Sequence, residues 1–397
     1  QKKIYSGCVM KVATPEKICE GLGFHRDYID FAHLRNTSIH FGVNESHQIA
    51  EHVKGFNSSK VLIVTDNGIL EAGHLDPVVN SLNESEINYE IYTNVKENPS
   101  TDDVDECVDF AKNKSIDLII GLGGGSSLDT AKGVNFILTN GGTMHDYRGV
   151  GKATREMLPF IAIPTTAGTG SECQSFAIIS DSTSHEKMAC GDLKAAARIA
   201  ILDPALTTSQ PRRISAHTGI DAISHAVETL VTKKRTDDSI QYSRLAFSLL
   251  NRSFEKIVND PNDLDARSDM LLGAAYAGTA IECSMLGSAH ASANPLTAKF
   301  SIPHGAAVGL MLPHVIKYNS SIEEISELYN SLSEESLSDR ITRLLKISNI
   351  PSKLGDYGIK KESFKDLANE ASGQWTGNFN PKQTDHADFM NLYESAL

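Results

Sequence analysis

Apolar residues in the first half of the chain fall into short unbroken runs separated by amphipathic stretches. Val61-Leu62-Ile63-Val64-Thr65 stops at the turn residues Asp66-Asn67-Gly68, and Tyr89-Glu90-Ile91-Tyr92 follows. Asp117-Leu118-Ile119-Ile120-Gly121 and Phe160-Ile161-Ala162-Ile163-Pro164 complete the series. These runs predict strands, and the 3.6-residue spacing between them predicts helices over 104–112 and 126–138. Strands apolar on both faces are covered on both, so the pattern predicts a largely parallel sheet of βαβ units. After Asp203-Pro204 the texture becomes helical, with segments expected over 219–231, 238–257, 265–285, 304–318, 322–332 and 338–347. Pro211-Arg212-Arg213 is a candidate hinge. The expected plan is an N-terminal α/β domain up to about residue 210 and an all-helical domain over 211–397. A cleft between the two domains is the default ligand site.

Length and composition narrow the classes. At 397 residues, two domains are the default, and 40% hydrophobic with 22% charged residues is ordinary for a globular protein. A formal charge of −13, with only Lys233-Lys234-Arg235 as a basic run, argues against nucleic acid or an anionic membrane as partner. No apolar run approaches the ~20 residues of a membrane helix. The chain opens on Gln1 rather than Met, which leaves its true start open, and the opening residues lack a signal-peptide apolar region. Six cysteines are scattered without a CxxC pair, which favours reduced thiols and a cytoplasmic location.

Two loops carry candidate cofactor chemistry. Gly121-Leu122-Gly123-Gly124-Gly125-Ser126-Ser127-Leu128-Asp129 follows a strand and opens a helix, where free N–H groups attract a phosphate. Ser126 and Asp129 have capping-box spacing. The loop lacks the lysine of GxxxxGK[ST], and Ser126 replaces the last glycine of GxGxxG, so a plain tight turn stays open. Thr165-Thr166-Ala167-Gly168-Thr169-Gly170-Ser171-Glu172 leaves the next strand on the same sheet edge, with hydroxyls suited to pyrophosphate and ribose. Asp66, at an earlier strand end, is placed for the ribose hydroxyls, although a turn aspartate is the alternative. Its charge would repel a ribose phosphate, which favours NAD over NADP.

Asp221 and His225 lie four residues apart on one predicted helix, about 6 Å along its axis. His290 and His304 are separated by Pro295 and Pro303 and so belong to different elements. Pro303 suits a helix start, putting His304 in a first turn, while His290 ends or follows the helix that runs through Glu282. One carboxylate and three imidazoles suit Fe(2+) or Zn(2+), with positions left for water or a substrate oxygen.

The words around these residues resemble the iron-containing (group III) alcohol dehydrogenase family from about residue 36 to 397, which implies an α/β domain over 36–210 preceded by an added N-terminal extension over 1–35. Gly123-Gly124-Gly125-Ser126 with Asp129 and Lys132 resembles its cofactor loop, and Ile163 to Glu172 its second signature. Gly219 to Glu228 and Ile302 to Val315 are similar to its metal-site segments. The resemblance implies a Rossmann-like dinucleotide-binding α/β domain plus an all-α metal-binding domain, on the dehydroquinate synthase plan. It implies Asp221, His225, His290 and His304 as metal ligands. It puts Asp66, Asn98, Gly124, Gly125, Ser126, Asp129, Thr165, Thr166, Thr169, Gln174 and Lys187 at cofactor-side positions.

The expected activity is reversible hydride transfer between a small alcohol and its aldehyde or ketone and NAD, with the metal acting on the substrate oxygen. A homodimer or larger homo-oligomer is expected. Many members carry a second histidine where this chain has Asn294, an amide that cannot titrate, so proton loss is expected through water or the cofactor ribose. The alternatives are an NAD- and metal-dependent lyase or cyclase of the dehydroquinate synthase type, a hydroxyacid-oxoacid transhydrogenase, and a catalytically idle binding protein.

Overall fold

A computed structural model describes residues 37–397, so the expected extension over 1–35 lies outside the described residues. The chain divides into two compact units. One runs through Thr165 and resumes over Ser171–Thr207; the other takes Thr166–Gly170 and Thr208–Leu397.

The first unit alternates strands and helices. In chain order these are β1 (Ser38–Phe41), α1 (Ile49–Gly55), β2 (Lys60–Val64), α2 (Asn67–Glu71), α3 (Leu75–Glu84), β3 (Asn88–Tyr92), α4 (Thr101–Ala111), β4 (Leu118–Gly123) and α5 (Gly125–Asn140). There follow β5 (Gly149–Val150), β6 (Phe160–Pro164), β7 (Phe176–Ser180), β8 (Lys187–Gly191) and β9 (Ile199–Leu202). The main sheet has the order β1-β9-β6-β4-β2-β3, parallel throughout. A small sheet, β5-β8-β7, stands apart from it.

The apolar runs are buried on both faces, as their lack of alternation requires. Leu62, Val64, Ile119 and Phe160 face one core with Val104, Leu128 and Phe136. Val61, Ile63, Ile120 and Ile161 face the other with Ile49, Val53, Val78 and Leu82. Each such side chain contributes roughly 1.5–3 kcal/mol by leaving water. The chain moves outward from β2 to β3 on one side and then returns to place β4 on the other. That reversal opens a switch point at the carboxyl ends of β2 and β4, where Asp66 and the glycine loop emerge.

The second unit is helical: α6 (Arg212–Thr229), α7 (Asp237–Asn259), α8 (Leu264–Ser284), α9 (Ser288–Phe300), α10 (His304–Asn319), α11 (Glu323–Asn330), α12 (Leu337–Ile347), α13 (Phe364–Gly373) and α14 (His386–Ser395). Thr236 opens α7 with a capping box, and Asp263 caps α8 through the Ala266 N–H at 2.9 Å. Met285, at φ 66°, ends α8, and the next helix leaves at 108° to it. That bend gives α9 its own start just before His290, and α9 then runs through Pro295. Among the described residues, no single helix is long and apolar enough to cross a membrane.

Candidate metal centre and cofactor loops

Three helices of the second unit deliver four side chains to one point. Asp221 and His225 share a face of α6, His290 lies in the first turn of α9, and His304 opens α10. The Nε2 atoms of His225, His290 and His304 stand 3.6, 3.5 and 3.8 Å from Asp221 Oδ1. Helix α10 comes this close because Gly305 presses on α6: a Cβ there would lie 2.0 Å from the His217 carbonyl oxygen. Asp221, His225 and His290 are buried, while the His304 side chain is 30% exposed and leaves the point open on one side.

The donor set fits a divalent transition metal. Asp221 Oδ1 and His290 Nε2 are buried without a hydrogen-bond partner among the described residues, and 3.5 Å between them is too long for an N–H···O bond. Burial pushes the His225 imidazole down to about 4, so it presents a lone pair at neutral pH. Burial alone would raise Asp221, but the surrounding imidazoles, His225 first, outweigh it and hold the carboxyl below its ordinary range.

Glu228 was not singled out from the sequence, yet it organises this centre. Its Oε2 accepts from His290 Nδ1 at 2.6 Å and from the Gly287 N–H at 3.1 Å, and its Oε1 accepts from the Ala289 N–H at 2.7 Å. A carboxylate holding two backbone N–H groups is an acceptor, so the imidazole donates from Nδ1 and turns Nε2 toward Asp221. Burial alone would lower this imidazole, but Glu228 and Asp221 outweigh it and raise it to about 9. The same contacts satisfy N–H groups at the start of α9, which has no local side-chain cap. Gly287 is required here, since a Cβ would lie 2.9 Å from Glu228 Oε1. The signal was present: Asp221, His225 and Glu228 are i, i+4 and i+7, one stripe of one helix.

In the first unit, Gly124 precedes α5 and no side chain caps that helix, so its first N–H groups are left for an anion. The expected Ser126–Asp129 capping box does not form. Ser126 Oγ instead accepts from the Asn98 N–H at 3.2 Å, and Asp129 accepts from Ser171 Oγ at 2.6 Å and the Ile178 N–H at 3.3 Å. Lys132 is fully buried beside Asp129 and donates to the Ser171 carbonyl and hydroxyl, each at 2.7 Å, and to the Phe176 carbonyl at 2.9 Å. Burial raises the Asp129 carboxyl against the pull of that ammonium.

Gly123, at φ 147°, brings the loop against Asp66, whose Oδ2 accepts from Ser127 Oγ at 3.2 Å. Asp66 Oδ1 caps α2 through the Ile69 N–H at 3.1 Å. The turn role and a ribose role are compatible, because each carboxylate oxygen accepts twice. Thr165 sits buried at the end of β6, its N–H donating to the Gly123 carbonyl at 3.0 Å. The Gln174 N–H donates to the Ser171 carbonyl, and Lys187 begins β8. Thr166 and Thr169 belong to the segment packed with the helical unit, where Gly170 abuts Gly278. Asn294 lies one turn beyond His290 on α9 and donates from Nδ2 to Gln374 Oε1 at 2.9 Å.

A parallel nucleotide-type sheet followed by helices that gather one carboxylate and three imidazoles defines a class, and comparisons with known proteins give it a family. The family model described as iron-containing alcohol dehydrogenase matches residues 36–204, and its C-terminal counterpart matches 215–397. Alcohol dehydrogenase 4 of Schizosaccharomyces pombe is 33% identical over 366 residues, covering 90% of this chain and 87% of the relative. NAD-dependent methanol dehydrogenase of Bacillus methanolicus is 31% identical, covering 88% and 95%. Among solved structures, a 1,3-propanediol oxidoreductase superposes with a TM-score of 0.85 at 29% identity, covering 90% of this chain and 97% of that one. The sulfoacetaldehyde reductase of Bifidobacterium kashiwanohense, solved with NAD+, gives 0.84 at 25% identity, covering 94% and 99%. The chain belongs to the iron-containing alcohol dehydrogenase family.

Proposed function

We propose that this protein catalyses reversible hydride transfer between a small primary or secondary alcohol, with its aldehyde or ketone, and NAD. The observation that carries the reading is the convergence of three imidazole Nε2 atoms on Asp221 Oδ1. Asp221, His225, His290 and His304 would hold divalent iron or zinc, which supplies Lewis acidity at the substrate oxygen. Asp221 adds the one negative charge among the four, and Glu228 keeps His290 Nε2 pointed inward. The methanol dehydrogenase relative and the NAD+-bound reductase support NAD as the cofactor.

On the cofactor side, Gly124, Gly125 and Ser126 would offer N–H groups to the pyrophosphate, and Asp66 would accept from ribose. Thr165, Thr166 and Thr169 supply hydroxyls, with Asn98, Gln174 and Lys187 at the margins. Asp129 stands beside this loop and holds Ser171 and the Ile178 N–H. Asn294, bonded to Gln374, is a positioning amide rather than a proton carrier. A homo-oligomer in the cytoplasm belongs to the same reading, the first from the family resemblance and the second from the scattered cysteines. The relatives named above are dehydrogenases and reductases, and they lend no support to a lyase.

The test combines metal analysis of anaerobically purified protein with NADH formation from short alcohols. Asp221→Asn and His225→Ala are expected to lower kcat/KM by about a thousandfold or more while the fold is kept. Full activity in protein freed of metal would overturn the reading.

A further inference from the structure

We infer that His40, Glu45 and His52 form a second binding site for a divalent transition-metal ion, carried entirely by the α/β unit. His40 lies on β1, Glu45 in the short turn of helix at Glu45–Gln48, and His52 on α1. Glu45 Oε1 stands 3.7 Å from His40 Nδ1 and 3.7 Å from His52 Nε2. The three ligand atoms all lie within 4.8 Å of one another. Tetrahedral zinc with bonds of about 2.0–2.2 Å sets its ligand atoms roughly 3.3–3.6 Å apart, close to the two 3.7 Å separations from Glu45 Oε1.

The polar atoms face each other without bonding. Glu45 is 8% exposed, and its carboxylate accepts no hydrogen bond among the described residues. His52 Nε2 is buried and likewise has no partner. An unpaired buried polar atom costs free energy, and His52 Nε2 turned toward a carboxylate and a second imidazole is an arrangement an ion resolves. Burial lowers both imidazoles from their ordinary value and raises the Glu45 carboxyl, so the rings offer lone pairs at neutral pH.

The surroundings hold the trio in place. Asp203 accepts from the Asn44 N–H at 3.0 Å, the Ser46 N–H at 3.2 Å and the Ser46 hydroxyl at 2.7 Å, clamping the backbone on both sides of Glu45. Asn44 takes φ 64° to make the turn. Ser38 Oγ lies 3.3 Å from His40 Nε2, a partner for the ring nitrogen that faces away from Glu45. Two imidazoles and one carboxylate are a zinc-type set with room for water, and too nitrogen-rich for magnesium or calcium. An ion there would tie the edge strand to α1.

The inference does not rest on the hydride-transfer reading, and its test is independent of activity. Full-length wild type, Glu45→Gln and His52→Ala are titrated with Zn2+ by calorimetry, and bound metal is counted by mass spectrometry. Each variant is expected to bind one ion fewer per chain than the wild type. Affinity at this site should fall more than about 100-fold, exceeding the loss of an outer-shell partner. His40→Gln, on the sheet edge, answers the same question should His52→Ala fail to fold. Equal stoichiometry and affinity in wild type and variants would overturn the inference.

Discussion

Glu228 reaches from one helix to hold two backbone N–H groups and an imidazole on another. Its replacement by glutamine keeps the size but removes the charge that orients His290. Glu228→Gln is therefore expected to weaken metal binding about 10–100-fold, within the range for lost outer-shell partners. Competition with a chelator measures this without any substrate. Restoration by Glu228→Asp would indicate the charge rather than the packing. Asn294 shows the opposite case at this scale. Its identity was legible as a departure from the family pattern, but its partner, Gln374, lies 80 residues away and no spacing announces it.

Elements are positioned by close contacts that a single methyl group would break. Gly305 lets α10 lie on the His217 backbone, and the spot where its Cβ would go is only 2.0 Å from a carbonyl oxygen. Gly305→Ala must push the two helices apart and carry His304 away from Asp221. A stability loss of about 1–3 kcal/mol is expected, with weaker metal binding alongside it. Urea denaturation and chelator competition report the two effects separately; unchanged metal affinity would show that α10 is free to slide. At this scale the apolar runs were clear because both faces of β2, β4 and β6 are covered. Strands β1 and β9 were missed, since four residues carry too little pattern and their pairing joins segments about 160 positions apart, as Thr37 and Ala197 beside them show. Helix α9 was missed because Pro295 lies inside it.

The molecule as a whole holds several histidines in their neutral form. His314 is pushed down to about 4 by burial, aided by Lys317, and Ser395 Oγ meets its Nδ1 at 2.8 Å, joining α10 to α14. Burial lowers His74 and His217 in the same direction. Above about pH 6.5 neither the folded nor the unfolded chain binds a proton at His314, and the stability is complete. Between about 6.5 and 4 the unfolded chain binds one and the folded chain does not, so stability falls as pH falls. His314→Asn should flatten that loss. Urea midpoints at pH 7.5 and pH 5 compare the two proteins, and equal slopes would exclude His314 as a contributor.

The sequence by itself determined the two kinds of texture, the strand-to-helix loops and the four side chains that converge. Hydrophobic periodicity and turn chemistry are local properties, and these four residues sit in recognisable words. Only the tertiary structure decided which polar groups meet. Glu228 on α6 finds His290 on α9, Asp129 turns from capping to holding Ser171, and His40, Glu45 and His52 gather around one point. Such meetings depend on how glycines, bends and strand order fold distant segments together, and the order of residues along the chain does not encode them locally.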